Sequence, residues 1–246
     1  VAVVQARMGS TRLPGKVMQD ICGRPLIEVL LHRLSLSKKI DQIVLATSSD
    51  PRNQSMVAFV EQLGYSVYQG SEDDVLDRYY HAAKNSDAEV VIRITGDCPL
   101  IDFELIDLMI DKFNADKVDF LTNCMPPSFP DGLDTAIFSF DALAQAHHES
   151  KEPFEREHVT PYIKNSGKFC VANYSYEKDY SSLRWTVDEP ADLEVVRHVF
   201  GAFTPKLDFK WSDVIELEKI GCGGVIVGKA IYEGHITMQD LKYYIN

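Results

Sequence analysis

A single α/β domain, with a mostly parallel sheet and helices on both faces, is predicted by two features of the chain. Short apolar runs alternate with amphipathic stretches of helical spacing. Three of these runs end in loops carrying glycine, hydroxyl or charged residues, and parallel sheets bind ligands beyond the carboxyl ends of their strands. The 246 residues, 45% hydrophobic and 25% charged, suffice for one large core and are too apolar for a disordered chain.

The elements follow in order. Residues 1–4 form a first strand that runs into a Gly/Pro/basic loop over 7–16. Leu26, Ile27, Leu30, Leu31 and Leu34 mark a helix over 25–36. A second strand at 42–47 precedes a helix opened by Asp50 and Pro51, proline being favoured in a first turn. A third strand at 65–68 leads to a helix over 72–85 with Ser71 as its expected cap. A fourth strand at 89–95 ends at Gly96-Asp97, before a helix over 101–113. Beyond Asp119 the alternation loosens. Extended segments are expected at 119–123 and 130–139, helices at 141–149 and 156–165, strands at 169–174 and 183–187, and a helix at 190–200. No Pro/Gly/Ser-rich linker divides residues 1–209, which are read as one domain, with 210–246 as a C-terminal appendage.

Lys and Arg number 25 against 37 Asp and Glu, a formal charge of −12. So acidic a chain lacks the basic face that general nucleic-acid binding needs. Residues 1–40 nevertheless carry seven basic and two acidic side chains, which suggests a local site for a small anion. Five scattered cysteines without a C-x-x-C pair argue against a disulfide framework and for a reducing compartment. No apolar run approaches the ~20 residues that span a bilayer. Residues 1–4 pass straight into Gln5 and Arg7, without an export-signal core. The expectation is a soluble cytoplasmic protein with neither nucleic acid nor membrane as partner.

The segment ARMGSTRLPGK at 6–16 holds three cations, two glycines and two hydroxyls between a strand and a helix. Gly9 and Gly15 let backbone N–H groups approach phosphate oxygens, and Arg7, Arg12 and Lys16 offset their charge. It is not a Walker A loop: five residues separate the glycines, and Val17 stands where a hydroxyl is needed. The bland reading is a solvated basic loop. Asp97 and Asp188 each end a predicted strand, and two such carboxylates can hold one Mg²⁺. Alone, Asp97 would be a turn former and Asp188 a helix cap; beside the basic loop, metal binding is the better reading. His147, His148 and His158 lack metal-ligand spacing to any cysteine and are read as surface or helix residues, and Cys98 as a buried small residue.

These motifs resemble the cytidylyltransferases that make CMP-activated acidic sugars, the CMP-KDO and CMP-acylneuraminate synthetases, most closely the branch named for spore-coat polysaccharide biosynthesis protein F. Segments at 46–48, 70–78, 93–102, 130–134, 155–160 and 186–190 extend the resemblance across about residues 1–200. It implies a Rossmann-like, three-layer nucleotide-diphosphosugar transferase fold. The reaction implied takes CTP and a sugar acid, of the 2-keto-3-deoxy class, and releases pyrophosphate with Mg²⁺ as cofactor, in a homodimer. By the same resemblance Arg7, Gly9, Ser10, Arg12 and Lys16 hold the triphosphate. Ala6, Ala46 and Thr47 line the cytosine pocket, and Asp97 and Asp188 bind the metal. Arg78 and Arg93 join the nucleotide side, and Asp131, Asp134 and Glu155 face the acceptor. Thr135-Ala136 stands where the family pattern has a glutamate, which puts the acceptor in doubt more than the nucleotide. Another acceptor, such as a phosphonate, and a GT-A-type glycosyltransferase are the alternatives, but no Asp-x-Asp stands at the end of the fourth strand. Residues 220–237 resemble instead the last strand and helix of the histidine-pathway phosphoribosyl isomerase; one such unit cannot close a barrel, so no activity is carried over. The run 225–227 is expected to dock on the domain or on a partner subunit.

Overall fold

The computed structural model describes residues 1–219, and the segment 220–237 with its expected docking run at 225–227 lies outside them. A seven-stranded sheet forms the middle layer. Its first block is parallel: β5 (Ser66–Gly70), β4 (Ile43–Ser48), β1 (Ala2–Gln5) and β6 (Val90–Thr95), side by side in that order. β8 (Ala136–Ser139) then pairs antiparallel with both β6 and β7 (Phe120–Thr122), and β9 (Val171–Asn173) runs parallel to β7 at the far edge. A small antiparallel ribbon, β2 (Asp20–Ile21) with β3 (Arg24–Pro25), stands apart.

Strand alternation divides the core in two. Ala2 and Val4 of β1 face one side, packed with α1 (Leu26–Ser35), α2 (Gln54–Gln62), α4 (Phe103–Asp116), α8 (Pro190–Phe203) and α9 (Trp211–Lys219). Val3 faces the other, with α3 (Val75–Asn85), α5 (Phe140–Glu149) and Ile163 of α7 (Pro161–Asn165). The expected α/β fold with helices on both faces is thus present. From β1 the chain moves outward to β4 and β5, then returns to β6 on the other side of β1. That reversal leaves a crevice beyond the carboxyl ends of β1 and β6.

Four local expectations differ from the structure. The helix expected over 72–85 starts at Val75, because Asp74 rather than Ser71 accepts from the Asp77 N–H, and Arg78 engages the carbonyls of Ser71 and Glu72. The helix expected over 156–165 is two pieces, α6 (Pro153–His158) and α7, separated at Thr160-Pro161, where proline removes a donor and bars the preceding residue from continuing the helix. The strand expected at 183–187 is irregular, with one isolated bridge between Arg184 and Asp131. Of the stretch 130–139 only β8 joins the sheet. Before it Gly132 turns at φ 110°, so close to Trp185 and Thr186 that a Cβ would lie 2.7 Å from the Thr186 nitrogen.

Within the appendage expected from residue 210, Val214 and Ile215 of α9 are buried in the main core. The Trp211 N–H donates to Asp102 Oδ2 at 2.6 Å, which ties α9 to the start of α4. No helix among the described residues is long and apolar enough to cross a membrane.

Candidate active site

The crevice beyond β1 and β6 is lined by the basic loop on one side and by Thr95, Gly96, Asp97 and Asp188 on the other. The loop is built tightly. The Met8 carbonyl accepts from the N–H groups of Ser10 and Gly15, both at 3.0 Å. Gly15 sits at φ 68°, a left-handed conformation that lets the chain turn into the 3-10 turn Lys16–Met18. Buried Asn53 pins the loop from below: its Oδ1 accepts from the Met8 N–H at 2.8 Å while its Nδ2 donates to Ser48 at the end of β4. Across the crevice Gly96 donates to the Gln5 carbonyl at 2.7 Å, and a Cβ there would lie 2.6 Å from that of Ala6. Any side chain at 96 would separate the two strand ends that form the site.

Lys16 is the centre of the charge arrangement. Its Nζ donates to Asp97 Oδ2 at 2.9 Å, to Asp188 Oδ1 at 3.0 Å and to the Val187 carbonyl at 2.8 Å. Burial pulls the ammonium down, yet the two carboxylates outweigh it and hold Lys16 above its usual value. Asp188 shows the opposite balance: burial lifts its carboxyl, but Lys16, Arg184 and Arg12 leave it below the ordinary range. Arg12 reaches Asp188 at 3.0 Å from an exposed position, and Arg7 reaches Glu72 at 2.6 Å on the rim. Arg184 extends the network, donating to Asp188 and to Asp131 at 2.6 Å each and approaching Asp192 at 3.4 Å. Asp192 in turn accepts from the N–H groups of Asp188 and Glu189, which fixes the loop at the head of α8.

At Asp131 burial raises the carboxyl, helped by Asp134. Asp134 is open to solvent, but the protein crowding it still desolvates its carboxyl, and the like charge of Asp97 also lifts it. The described residues therefore bring together Ala6, Arg7, Ser10, Arg12, Lys16, Asp97 and Asp188, with Asp131 joined through Arg184.

Most of the other expected residues lie back from the crevice, and Ser10, which lines it, has a second task. Ser10 Oγ accepts from the Leu13 N–H at 3.3 Å and so also shapes the loop, while Gly9 lies beside Arg52. Ala46 and Thr47 are buried within β4, Thr47 Oγ1 without a partner. Arg78 was expected on the nucleotide side; it is buried and braces the carbonyls of Ser71 and of Glu72, whose side chain meets Arg7. Arg93 lies mid-strand in β6 over the Tyr79 ring, 5.9 Å from its centroid. Glu155, expected at the acceptor, accepts from Ser150 Oγ at 2.7 Å across the α5–α6 turn.

Several residues of the crevice and its supports had no sequence signal. Gln5 lines the crevice, and its Oε1 is buried without a hydrogen-bond partner. Asn53 and Arg184 contribute from segments that carried no motif. The histidines read as surface or helix residues do lie on helices, His147 and His148 on α5 and His158 on α6; His147 in addition packs face to face on Tyr80, with 4.2 Å between ring centroids, and meets Asp77.

The pattern of the cytidylyltransferase family matches residues 1–195. Spore coat polysaccharide biosynthesis protein SpsF of Bacillus subtilis is 30% identical over 223 residues, 87% of this chain and 92% of that protein. A 3-deoxy-manno-octulosonate cytidylyltransferase of Bdellovibrio bacteriovorus is 36% identical over 188 residues, 73% of this chain and 74% of that one. The solved structure of a cytidylyltransferase from Leptospira borgpetersenii superposes with a TM-score of 0.87 at 35% identity, over 92% of this chain and 95% of that chain. The chain therefore belongs to the cytidylyltransferase family and is, by class, a CTP-dependent nucleotidyltransferase.

Proposed function

We propose that the crevice transfers CMP from CTP to a hydroxyl of a 2-keto-3-deoxy sugar acid, on a route to a surface polysaccharide. The observation that carries this reading is the meeting of Lys16, Asp97 and Asp188 at the foot of a loop bearing two further cations. Similarity to SpsF and to an octulosonate cytidylyltransferase supports the acceptor class. The acceptor oxygen attacks the α-phosphorus of CTP in line, the bond to the bridging oxygen breaks, and pyrophosphate leaves with that electron pair. Arg7 and Arg12 at the rim and Lys16 beneath hold the triphosphate, and Ser10 and Gly9 shape the backbone around it. Ala6 borders the base, with Ala46 and Thr47 behind it. Asp131 and Asp134 face the acceptor, and their raised carboxyls make them the better proton acceptors of the site.

A divalent cation fits the Asp97–Asp188 pair. Both donors are carboxylates, one oxygen of each already meets the same ammonium group, and magnesium ordinarily takes one or two carboxylates with phosphates and water. Bound there, Mg²⁺ supplies charge neutralisation for the α-phosphate and the leaving pyrophosphate.

The test is pyrophosphate release with CTP, UTP, GTP and ATP, with and without Mg²⁺, against a panel of 2-keto-3-deoxy sugar acids. Turnover is expected with CTP, Mg²⁺ and one such acid. Lys16→Ala and Asp97→Ala should each lower it by roughly 10²–10³-fold or more. Near-parental rates in both variants would remove these residues from the site. Turnover with a phosphonate or another nucleotide would move the protein to a different branch of nucleotidyl transfer.

A further inference from the structure

We propose that Asp77 and His81 of α3, with His147 of α5, form a second cation site that takes a divalent transition-metal ion of the zinc class. Among the described residues this is a group of three ligand-bearing side chains whose donor atoms all lie within 4.8 Å of one another. His147 Nε2 lies 2.9 Å and His81 Nε2 3.4 Å from the same oxygen, Asp77 Oδ1. Ligands about 2.0–2.1 Å from a tetrahedral zinc ion stand about 3.3 Å apart. The two measured edges bracket that spacing.

The frame around the three is rigid. The Asp77 backbone N–H donates to Asp74 Oδ1 in the first turn of α3. Arg156 joins the other Asp74 oxygen at 2.5 Å and donates to the His147 carbonyl at 2.7 Å. One guanidinium therefore fixes α3 against α5 where the ligands converge. Tyr80 stacks on the His147 ring with planes 9° apart, and Tyr68 stacks on His81. The side chains remain reachable, at 30%, 39% and 17% exposure for Asp77, His81 and His147.

The donor set decides the ion. Two imidazoles and a carboxylate suit Zn²⁺, Ni²⁺, Cu²⁺ or Co²⁺, whereas the all-oxygen pair Asp97–Asp188 suits Mg²⁺ or Mn²⁺. An ion held by these three side chains would complete a tetrahedron with water. His147 Nδ1 is buried without an acceptor. The site thus lacks the second hydrogen bond that usually strengthens a zinc-bound histidine, which lowers affinity by about 10–100-fold against a fully supported site.

The experiment uses the full chain freed of metal, with Zn²⁺ and Co²⁺ as probes in millimolar Mg²⁺. One Zn²⁺ per chain should bind and raise the melting temperature. Co²⁺ should show tetrahedral d–d absorption without a thiolate charge-transfer band, which separates the site from the exposed Cys22 and Cys170. His81→Ala and His147→Ala should each weaken Zn²⁺ by at least about 10-fold, while Asp97→Ala leaves Zn²⁺ binding unchanged. Because the His147 ring is packed on Tyr80, the more exposed His81 variant decides the matter if His147→Ala unfolds. Unchanged Zn²⁺ affinity and Co²⁺ spectrum in His81→Ala would overturn the proposal, as would loss of the Zn²⁺ site in Asp97→Ala.

Discussion

Asp188 carries two opposed demands in one side chain. It must stay ionised to hold Lys16 and Arg184, and it is partly enclosed by protein. Lys16, Arg184 and Arg12 settle the balance and hold its carboxyl below the ordinary aspartate value. With the folded value depressed, its pairing stabilises the protein fully at neutral pH and is lost as pH falls through that lowered value. Asp188→Asn should therefore melt below the parent at pH 7, and the gap should close in acid; thermal unfolding across pH checks this. Asp97 and Lys16 were legible from sequence because residue type and position at a strand end coincide. Arg184 was not: its spacing of four to Asp188 means contact on a helix, but this segment is irregular, so the pair forms for a reason the spacing does not encode. Gln5 was hidden for a similar reason, since its orphaned acceptor emerges only once β1 and β6 close over it.

At the scale of elements the parallel strands read well, because strands buried on both faces are continuous apolar runs. Their helices read well too, since one apolar stripe suffices. The half beyond Asp119 read less well, because its ladder strands β7, β8 and β9 are only three or four residues long and the 183–187 segment is held by one isolated bridge. Element ends were set by side chains with a second task. Asp102 is an example: its Oδ1 caps α4 by accepting from the Leu105 N–H at 2.8 Å, while its Oδ2 holds the Trp211 N–H of α9. Asp102→Ala should cost more than the ~1 kcal/mol of a lost cap, because it also leaves a second donor unmet. A smaller loss by chemical denaturation would show that water replaces both bonds.

For the molecule as a whole, Arg33 joins distant parts of the chain. It is fully buried on α1, donates to the carbonyls of Ile101 at 2.9 Å and Leu207 at 2.5 Å, and stacks over Phe209 at 4.3 Å. Burial lowers its value to about 10, still charged at neutral pH. Arg33→Ala would leave a cavity and unmet carbonyls, a loss of about 3 kcal/mol or roughly 6–12 °C in melting temperature, measurable by calorimetry. No sequence pattern marks such a residue, because its partners are backbone carbonyls far along the chain. The net charge of −12 likewise argued against a partner class without locating anything. Location came from the fold, which gathers Arg7, Arg12 and Lys16 against Asp97 and Asp188. The bridge of Lys16 across those two carboxylates has a consequence for the order of loading. The ammonium is a resident counter-ion: it keeps two like charges close before any nucleotide arrives, and it occupies the oxygens that a divalent ion would use. On the proposed reading, a triphosphate that drew Lys16 toward its own oxygens would free the pair, and ion and nucleotide would load together rather than singly. Lys16→Ala should then bind Mn²⁺ more tightly than the parent without nucleotide, by electron paramagnetic resonance titration, while losing turnover.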